Sequence, residues 1–458
     1  MTAGPPSPPP LRWVTPAPHV VTAARGRAVL AIPDGVRVHI RVRHAGRFAG
    51  RPITVTAPPG RPAIYVAATL PWGQSVLVAD GGGRRASLSV RRVPGSVPGF
   101  TSLLQRVQDA ATLPGADGRP ALDPDAYRRG IDGLVALNGL VRAMAPGSRA
   151  RIEASYPMRI SAEQAVHGTL DDGRLAVALM TFERNADFWA NPPADLTTQQ
   201  TRLSTPTGPL ALYDWRYLPG RGVGVHPLGT AQRLATIPAG TPEFFDRLAA
   251  LLTLGVERRN GEVSWLVAEY PWYAVPAPES GPYWPSAMAN TAVAFQLARA
   301  FAASGDVRYR DLMHRYLTAL DVPFLAGGVS VSSDRGTWYL EYGGTSRLRV
   351  LNGFLQSVLD LGKIDAALGG GDEQAHRLFA AGVSEAAARL ENFDLPDGWS
   401  AYSLARRRAP VTYHEYHVHL LRDLYERTGE TAFARYADRW DAALAAYRRG
   451  EHPGPAGG

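Results

Sequence analysis

Ala302-Ala303-Ser304-Gly305-Asp306-Val307-Arg308-Tyr309 is the stretch whose reading decides the fold. A helix ends near Ser304-Gly305-Asp306, and Tyr309 to Leu320 forms its partner. The same cadence recurs at Thr428-Gly429-Glu430, followed by Phe433 to Tyr447, and a looser copy joins 350–368 to 373–390 across Gly369-Gly370-Gly371. Phe244 to Val256 reads as a helix of an earlier pair. Repeated helical hairpins bury their faces against their neighbours, so this pattern predicts an α/α toroid over residues 230–450. Toroids of this kind commonly bind carbohydrate at one mouth, an analogy of fold alone.

Outward from that block the pattern changes. Residues 1–25 read as a proline-rich flexible tail and 451–458 as a second tail. Val36-Arg37-Val38-His39-Ile40-Arg41-Val42 alternates apolar and polar side chains, as a half-buried strand does. Further short strands follow across turns such as Pro58-Pro59-Gly60, which predicts a small β-sandwich over 26–98. Residues 99–148 read as a helical connector, with Ile131, Leu134, Leu137 and Leu140 on one face. Residues 149–229 read as β-rich, with Leu175 to Met180 and Leu210 to Tyr213 as strands. Gly220, Gly222 and Gly224 mark a tight turn there, since no strand-Gly-helix unit with a downstream acid surrounds them. The expected class is therefore multidomain α+β.

Composition sets the outer limits. A chain of 458 residues, 45% apolar and 20% charged, is long enough for two or three domains. The absence of cysteine removes disulfides and thiolate chemistry. The formal charge is +8, carried almost wholly by arginine because Lys363 is the only lysine. No basic run interleaves with aromatics, so nucleic acid is not the expected partner; an acidic polysaccharide or oligosaccharide fits the charge and the aromatics better. The N-terminus lacks the apolar core of a signal peptide, and no stretch of eighteen apolar residues occurs, so no membrane span is expected and the location is left open, cytoplasmic by default; a homodimer is a possible assembly.

Two aromatic, charge-bearing segments carry the chemistry. Trp338-Tyr339-Leu340-Glu341-Tyr342 continues to Leu351-Asn352-Gly353-Phe354, and Tyr402-Ser403-Leu404-Ala405-Arg406 continues to Tyr413-His414-Glu415-Tyr416-His417. Both are expected in connections between helices, where binding residues tend to sit. With Trp284-Pro285-Ser286-Ala287-Met288-Ala289, this ordered set resembles the C-terminal domain of the D-glucuronyl C5-epimerase family over roughly residues 225–448. The first segment is similar to that family's Trp-Tyr-Glu-Glu-Tyr and Leu-Asn-Gly-Phe pair, and the second to its Tyr-Asp-Leu-Arg and Tyr-His-x-x-His-Ile. The alignment departs at Ala405, which stands where the family has an arginine, so Arg406 or Arg407 would substitute from a shifted register.

The resemblance implies proton transfer by tyrosines at C5 of a hexuronic acid, of the D-glucuronate/L-iduronate type, without a cofactor. Tyr342 and Tyr413 would serve opposite faces of the carbon, Tyr402 would assist, and Glu341 would orient a partner. Arg406, Arg407, Asn352, His417, Trp338 and Trp284 would hold the substrate. The chemistry asks for such a set independently: removing the C5 proton places a second negative charge on the neighbouring carboxylate, which an arginine and hydroxyl donors stabilise. A tyrosine acts as base there only beside a cation that lowers its pKa.

Other readings stay open at this point. A polysaccharide lyase shares the intermediate but expels the C4 substituent, and a glycan-binding homologue would keep the aromatics without turnover. A toroidal glycosidase would pair Glu341 with Glu269 or Glu415. No metal is expected, because Val418 stands where a zincin helix needs its second histidine after His414.

Overall fold

The alternation at Val36–Val42 is realised in space. The computed structural model describes residues 11–13, 19–21, 25–32, 36–56, 63–70, 73–112, 124–273 and 283–451. The chain divides into two compact units, residues 1–201 with 217–223 and residues 202–216 with 224–458. Among the described residues the first unit opens with eight strands: β1 (Arg12–Trp13), β2 (His19–Val21), β3 (Arg25–Ala31), β4 (Arg37–His44), β5 (Arg47–Thr56), β6 (Ala63–Thr69), β7 (Gly73–Gly81) and β8 (Arg84–Arg92). They form one sheet in the order β1-β3-β6 and another in the order β2-β8-β7-β4-β5. On β4, Val38, Ile40 and Val42 are buried while Arg37, His39 and Arg43 face outward. Leu30 of the smaller sheet joins Val38, Ile40 and Ala79 of the larger in one apolar cluster, so the two sheets share a core. The Pro58-Pro59-Gly60 turn and most of both tails lie outside the described residues.

Among the described residues four helices follow in the first unit: α1 (Phe100–Thr112), α2 (Pro124–Ala143), α3 (Arg149–His167) and α4 (Asp172–Ala190). On α2 the buried stripe runs through Tyr127, Ile131, Leu134 and Leu137, and Val141 closes it in place of Leu140. The β-rich reading of 149–229 is corrected here, because α3 and α4 occupy most of its first half. A short apolar run such as Leu175–Met180 does not by itself distinguish strand from helix. The Asp171 side chain accepts the Arg174 N–H at 2.8 Å and starts the helix, and Leu175, Ala178, Leu179 and Phe182 are buried at helical spacing. Gly133 of α2 permits close packing on α4, since a Cβ there would stand 2.5 Å from the Glu183 Cα.

Three short strands come next along the chain: β9 (Thr201–Arg202), β10 (Trp215–Leu218) and β11 (Gly222–Val225). Leu210–Tyr213, expected as a strand, instead follows a 3₁₀ turn over Gly208–Leu212. The glycine loop is a tight turn: Arg221 N–H donates to the Leu218 carbonyl at 2.9 Å, and Gly220 and Gly222 have φ of 78° and 82°.

The second unit carries α5 (Pro227–Ala235), α6 (Pro242–Leu252), β12 (Gly255–Asn260), β13 (Val263–Pro271), β14 (Tyr283–Pro285), α7 (Ala287–Ser304), α8 (Val307–Asp321), β15 (Ser330–Ser332), β16 (Thr337–Tyr339), α9 (Leu351–Ala367), α10 (Glu373–Arg389), α11 (Val411–Thr428) and α12 (Thr431–Arg448). It mixes helix and sheet rather than helices alone, with sheets β12-β13-β14 and β15-β16. The helix expected to reach Val256 ends at Leu252. At Gly255 a Cβ would stand 2.2 Å from the Tyr316 hydroxyl, and the chain leaves the helix there for β12.

The hairpin cadence has one repeated geometry. Gly305 and Gly429 take φ of 70° and 68°, and their N–H groups donate to Phe301 and Tyr425 carbonyls at 2.8 Å. The next helices are then capped by Asp306, accepting from Arg308 N–H at 3.0 Å, and by Glu430, accepting from Ala432 N–H at 3.1 Å. α9 packs on α7 and on α11, and α8, α10 and α12 pack on α7, α9 and α11 respectively. α7 and α9 are buried on most sides, whereas α8, α10 and α12 bury one face.

Candidate active site

The helices α7, α9 and α11 begin at Ala287, Leu351 and Val411, and main-chain bonds knit the connections that precede them. Ala287 N–H donates to the Leu340 carbonyl and Gly343 N–H to that of Pro285, both at 2.9 Å. Leu351 N–H donates to the Tyr402 carbonyl at 3.0 Å, and Leu404 N–H to that of Arg349 at 3.1 Å. Segments spread over some 130 positions of sequence, from Trp284 to His417, are thereby brought together.

Glu341 sits against the first turn of α9. A Cβ on Gly353 would stand 2.3 Å from its Oε2, so glycine at that position makes room for the carboxyl. The residue as a whole is partly exposed, yet its Oε2 is shielded from solvent and has no hydrogen-bond partner among the described residues. Burial pushes the carboxyl up to about 7, against a hydrogen bond from Tyr342 that favours the ionised form. The Tyr342 hydroxyl also reaches that of Tyr402, so the carboxyl and the two phenols form one run of interacting groups. The Tyr402 and Tyr413 rings meet edge to face at 5.2 Å. Burial, and then the charge of Glu341, hold the hydroxyls of Tyr342, Tyr402 and Tyr413 above the usual tyrosine range. All three are neutral phenols at neutral pH, and no cation lowers any of them; the acid with a pKa near neutrality is Glu341.

Tyr413 and His417 stand one turn apart on α11, on the same face. This places Tyr413 in a helix rather than in the connection expected from the sequence. Tyr413 is 39% exposed and His417 fully buried. Ser400 ties His417 to His414: its N–H donates to His414 Nδ1 at 3.0 Å, and its Oγ lies 2.8 Å from Nδ1 of each histidine. Both contacts have a proton only if Ser400 donates to His414 and His417 Nδ1–H donates to Ser400. His414 Nε2–H then donates to the Trp440 carbonyl at 3.0 Å, and His417 Nε2 keeps an unpartnered lone pair. Burial lowers His417 to about 3, so it is neutral. Among the described residues Asn352 Oδ1 is likewise buried and without a partner.

The remaining expected residues divide. Trp338 stacks on Phe354 with centroids 3.9 Å apart, is 1% exposed, and is a core residue rather than an open sugar platform. Trp284 stacks on Tyr270 at 4.4 Å and stands 5.0 Å from Tyr342, forming the wall behind that ring. Arg406, at φ 55°, donates from its guanidinium to the carbonyls of Asn392 and Asp394, both at 3.0 Å, so its fork is engaged by the backbone. Arg407 differs. Its carbonyl accepts Tyr402 N–H at 2.7 Å, and Ala401 pairs with Arg408 across the same turn. Tyr402 and Arg407 therefore lie opposite one another, with side chains leaving the hairpin on one side. Among the described residues the Arg407 guanidinium has no partner.

Glu269 and Glu415, the carboxylates considered for glycoside cleavage, are tied to Arg258 at 2.6 Å and Arg448 at 2.7 Å. Sequence reasoning missed Ser400, because a lone serine beside Trp399 carries no signal until the two histidines fold over it. It quoted Gly353 only as part of a motif, and the requirement for glycine there follows from Glu341 across the site.

Residues 265–442 match the family described as D-glucuronyl C5-epimerase C-terminus. The chain is 31% identical over 176 residues to the D-glucuronyl C5-epimerase of Caenorhabditis elegans, covering 35% of this chain and 28% of that protein. It is 27% identical over 161 residues to an uncharacterized protein of Methanocaldococcus jannaschii, covering 34% of this chain and 51% of that one. The chain thus spans about half the length of one of these relatives and less of the other. A solved sugar epimerase from a ruminal bacterium aligns over 59% of this chain and 70% of its own, with a TM-score of 0.35 and 10% identity. Among the described residues, no helix is long and apolar enough to cross a membrane. Over residues 265–442, which hold every residue of the site just described, the chain resembles the C-terminal domain of the D-glucuronyl C5-epimerases.

Proposed function

We propose that the chain is a cofactor-independent C5-epimerase acting on hexuronic acid units, of the D-glucuronate/L-iduronate type, within a glycan. The observation that carries this reading is the Glu341 carboxyl, raised to about 7, hydrogen-bonded to Tyr342 in a cluster with Tyr402 and Tyr413. A base works best with a pKa near the working pH, and Glu341 is the group that has one.

The ionised Glu341 takes the phenolic proton of Tyr342 as the Tyr342 oxygen takes the C5 proton. The C–H electron pair moves into the neighbouring carboxylate as an enediolate. Tyr413 gives its phenolic proton to C5 from the opposite face, the electron pair returns to carbon, and the centre is inverted. Tyr413, partly exposed, is reprotonated from water, and Glu341 loses its proton to water, so nothing is consumed. Tyr402 aligns Tyr342, and Arg407, opposite Tyr402, holds the substrate carboxylate where charge develops. The unpartnered acceptors Asn352 Oδ1 and His417 Nε2 suit sugar hydroxyl donors.

We read the second unit, over residues 230–450, as an α/α toroid, and residues 26–98 as a small β-sandwich. The serial packing of α9 on α7 and α11 supports the first, and the core common to both N-terminal sheets supports the second.

The test is incubation of uronate polymers with the protein in D₂O, followed by NMR and chain-length analysis. Deuterium at C5 in intact chains is the expected result. New unsaturated ends would make the protein a lyase. No exchange with any uronate polymer would sink the proposal.

A further inference from the structure

Four arginines line a cavity that shares no residue with the tyrosine cluster. Arg202, Arg216, Arg233 and Arg247 surround a space of about 470 Å³ together with Gly229, Gln232 and Glu243. That is the size of a small-ligand site. The cavity is built on Asp214, which is 1% exposed and sits at the first turn of α5 because Gly229 has no Cβ to meet it. Its carboxylate fixes two guanidiniums by their Nε atoms, Arg202 at 2.7 Å and Arg216 at 2.8 Å. Arg247 is held the same way, by Glu243 at 3.1 Å from its Nε. In all three the terminal nitrogens have no partner among the described residues. Arg233 is anchored on the Tyr213 carbonyl at 2.8 Å.

The charge does not balance. Four guanidiniums face two carboxylates, Asp214 and Glu243, and burial keeps the adjacent His226 neutral by lowering it to about 4. Arg233 is itself lowered by burial, with Arg247 and Arg202 adding to the effect against Asp214. A set of arginines gathered only for stability would be neutralised, because unpaired like charges repel. Forks held at Nε with both terminal nitrogens free present parallel donors, the geometry that recognises carboxylate, sulfate and phosphate.

We propose that this cavity is an oxyanion-binding site, taking a carboxylate, sulfate or phosphate group on the free ends of Arg202, Arg216 and Arg247. The same chemistry is offered by an acid group on a glycan chain and by a free inorganic anion.

Thermal shift and calorimetry at constant ionic strength, with chloride as the background, test it using inorganic sulfate, inorganic phosphate, glucuronate and glucuronate-containing oligosaccharides. Saturable binding of at least one anion is expected. Arg247→Gln and Arg216→Lys should each weaken it roughly tenfold, the scale of one charge-assisted hydrogen bond. Arg216→Lys keeps a cation beside Asp214 and so guards against unfolding, which circular dichroism without added anion checks. Tighter binding of oligosaccharide than of inorganic anion assigns a glycan acid group as the ligand, and the reverse assigns the free anion. No saturable binding beyond chloride, or unchanged affinity in both folded variants, overturns the proposal. Binding is read without turnover, so this outcome and that of the epimerase assay are independent.

Discussion

Replacing Glu341 with glutamine keeps the shape of the side chain and removes its titration. Burial moves this carboxyl from 4.5 to about 7. At about 1.4 kcal/mol for each tenfold change in acidity, the ionised form is therefore roughly 3 kcal/mol less favourable in the folded chain than in the unfolded one. The folded protein holds this proton more tightly, so the stability it confers is present below the unfolded pKa and is lost as pH rises through about 7. Glutamine has no such loss. Wild type and Glu341→Gln should have similar stability near pH ~5, and the variant should be more stable by up to about 3 kcal/mol near pH ~8, a gain of several degrees in Tm. Denaturation of both proteins across that range measures the difference directly. Epimerisation by the variant should fall at least ~100-fold, the usual contribution of a positioned general base, and lose its rise with pH near neutrality. Parallel stability curves for the two proteins would refute the argument, because Glu341 would then titrate normally in the folded state.

Four further outcomes follow from the geometry. Tyr413→Phe should lower epimerisation ~100-fold or more at unchanged Tm, and full inversion at C5 by the folded variant would exclude Tyr413 as proton donor. Arg407→Gln should raise KM and lower kcat while Arg406→Gln changes neither, measured on one uronate polymer; equal effects would mean that the hairpin register does not select the arginine. Gly353→Ala, with its Cβ 2.3 Å from the Glu341 Oε2, should cost about 1–3 kcal/mol by overpacking and displace the neutral-pH limb of the rate profile. Ser400→Ala leaves His417 Nδ1–H buried without an acceptor, a loss of about 1–3 kcal/mol in denaturant unfolding.

How far the sequence was legible depended on whether a signal was local. The hairpins at Ser304–Asp306 and Thr428–Glu430 were readable because the glycine and the following acid serve the helix ends they adjoin. The alternation on β4 was readable because one face meets the core and the other solvent. Leu175–Met180 misled because six consecutive apolar residues carry no period, and the cap at Asp171 and the packing surface of α2 decide the outcome. In the site, Glu341, Tyr342, Tyr402 and Tyr413 come together as their motifs suggested, with Tyr413 on a helix rather than in a connection. Trp338 was chosen for its aromatic face, which Phe354 covers. Arg406 and Arg407 could not be separated without the turn that points one at backbone carbonyls and sets the other opposite Tyr402. The arginine cavity was invisible, since its members run from Arg202 to Arg247 and no motif links them.

The bond from Leu351 N–H to the Tyr402 carbonyl has a consequence for the order of folding. It joins residues some fifty positions apart, and the whole of the α9–α10 hairpin lies between them in sequence. Contacts of such sequence separation form late, after local helices have paid their loop-closure entropy. The cluster therefore forms only late: a chain released before Tyr402 has been made holds Glu341 and Tyr342 with neither of the other phenols to meet them. Proton-transfer competence should accordingly appear in refolding together with the last tertiary phase, well after helical signal is regained.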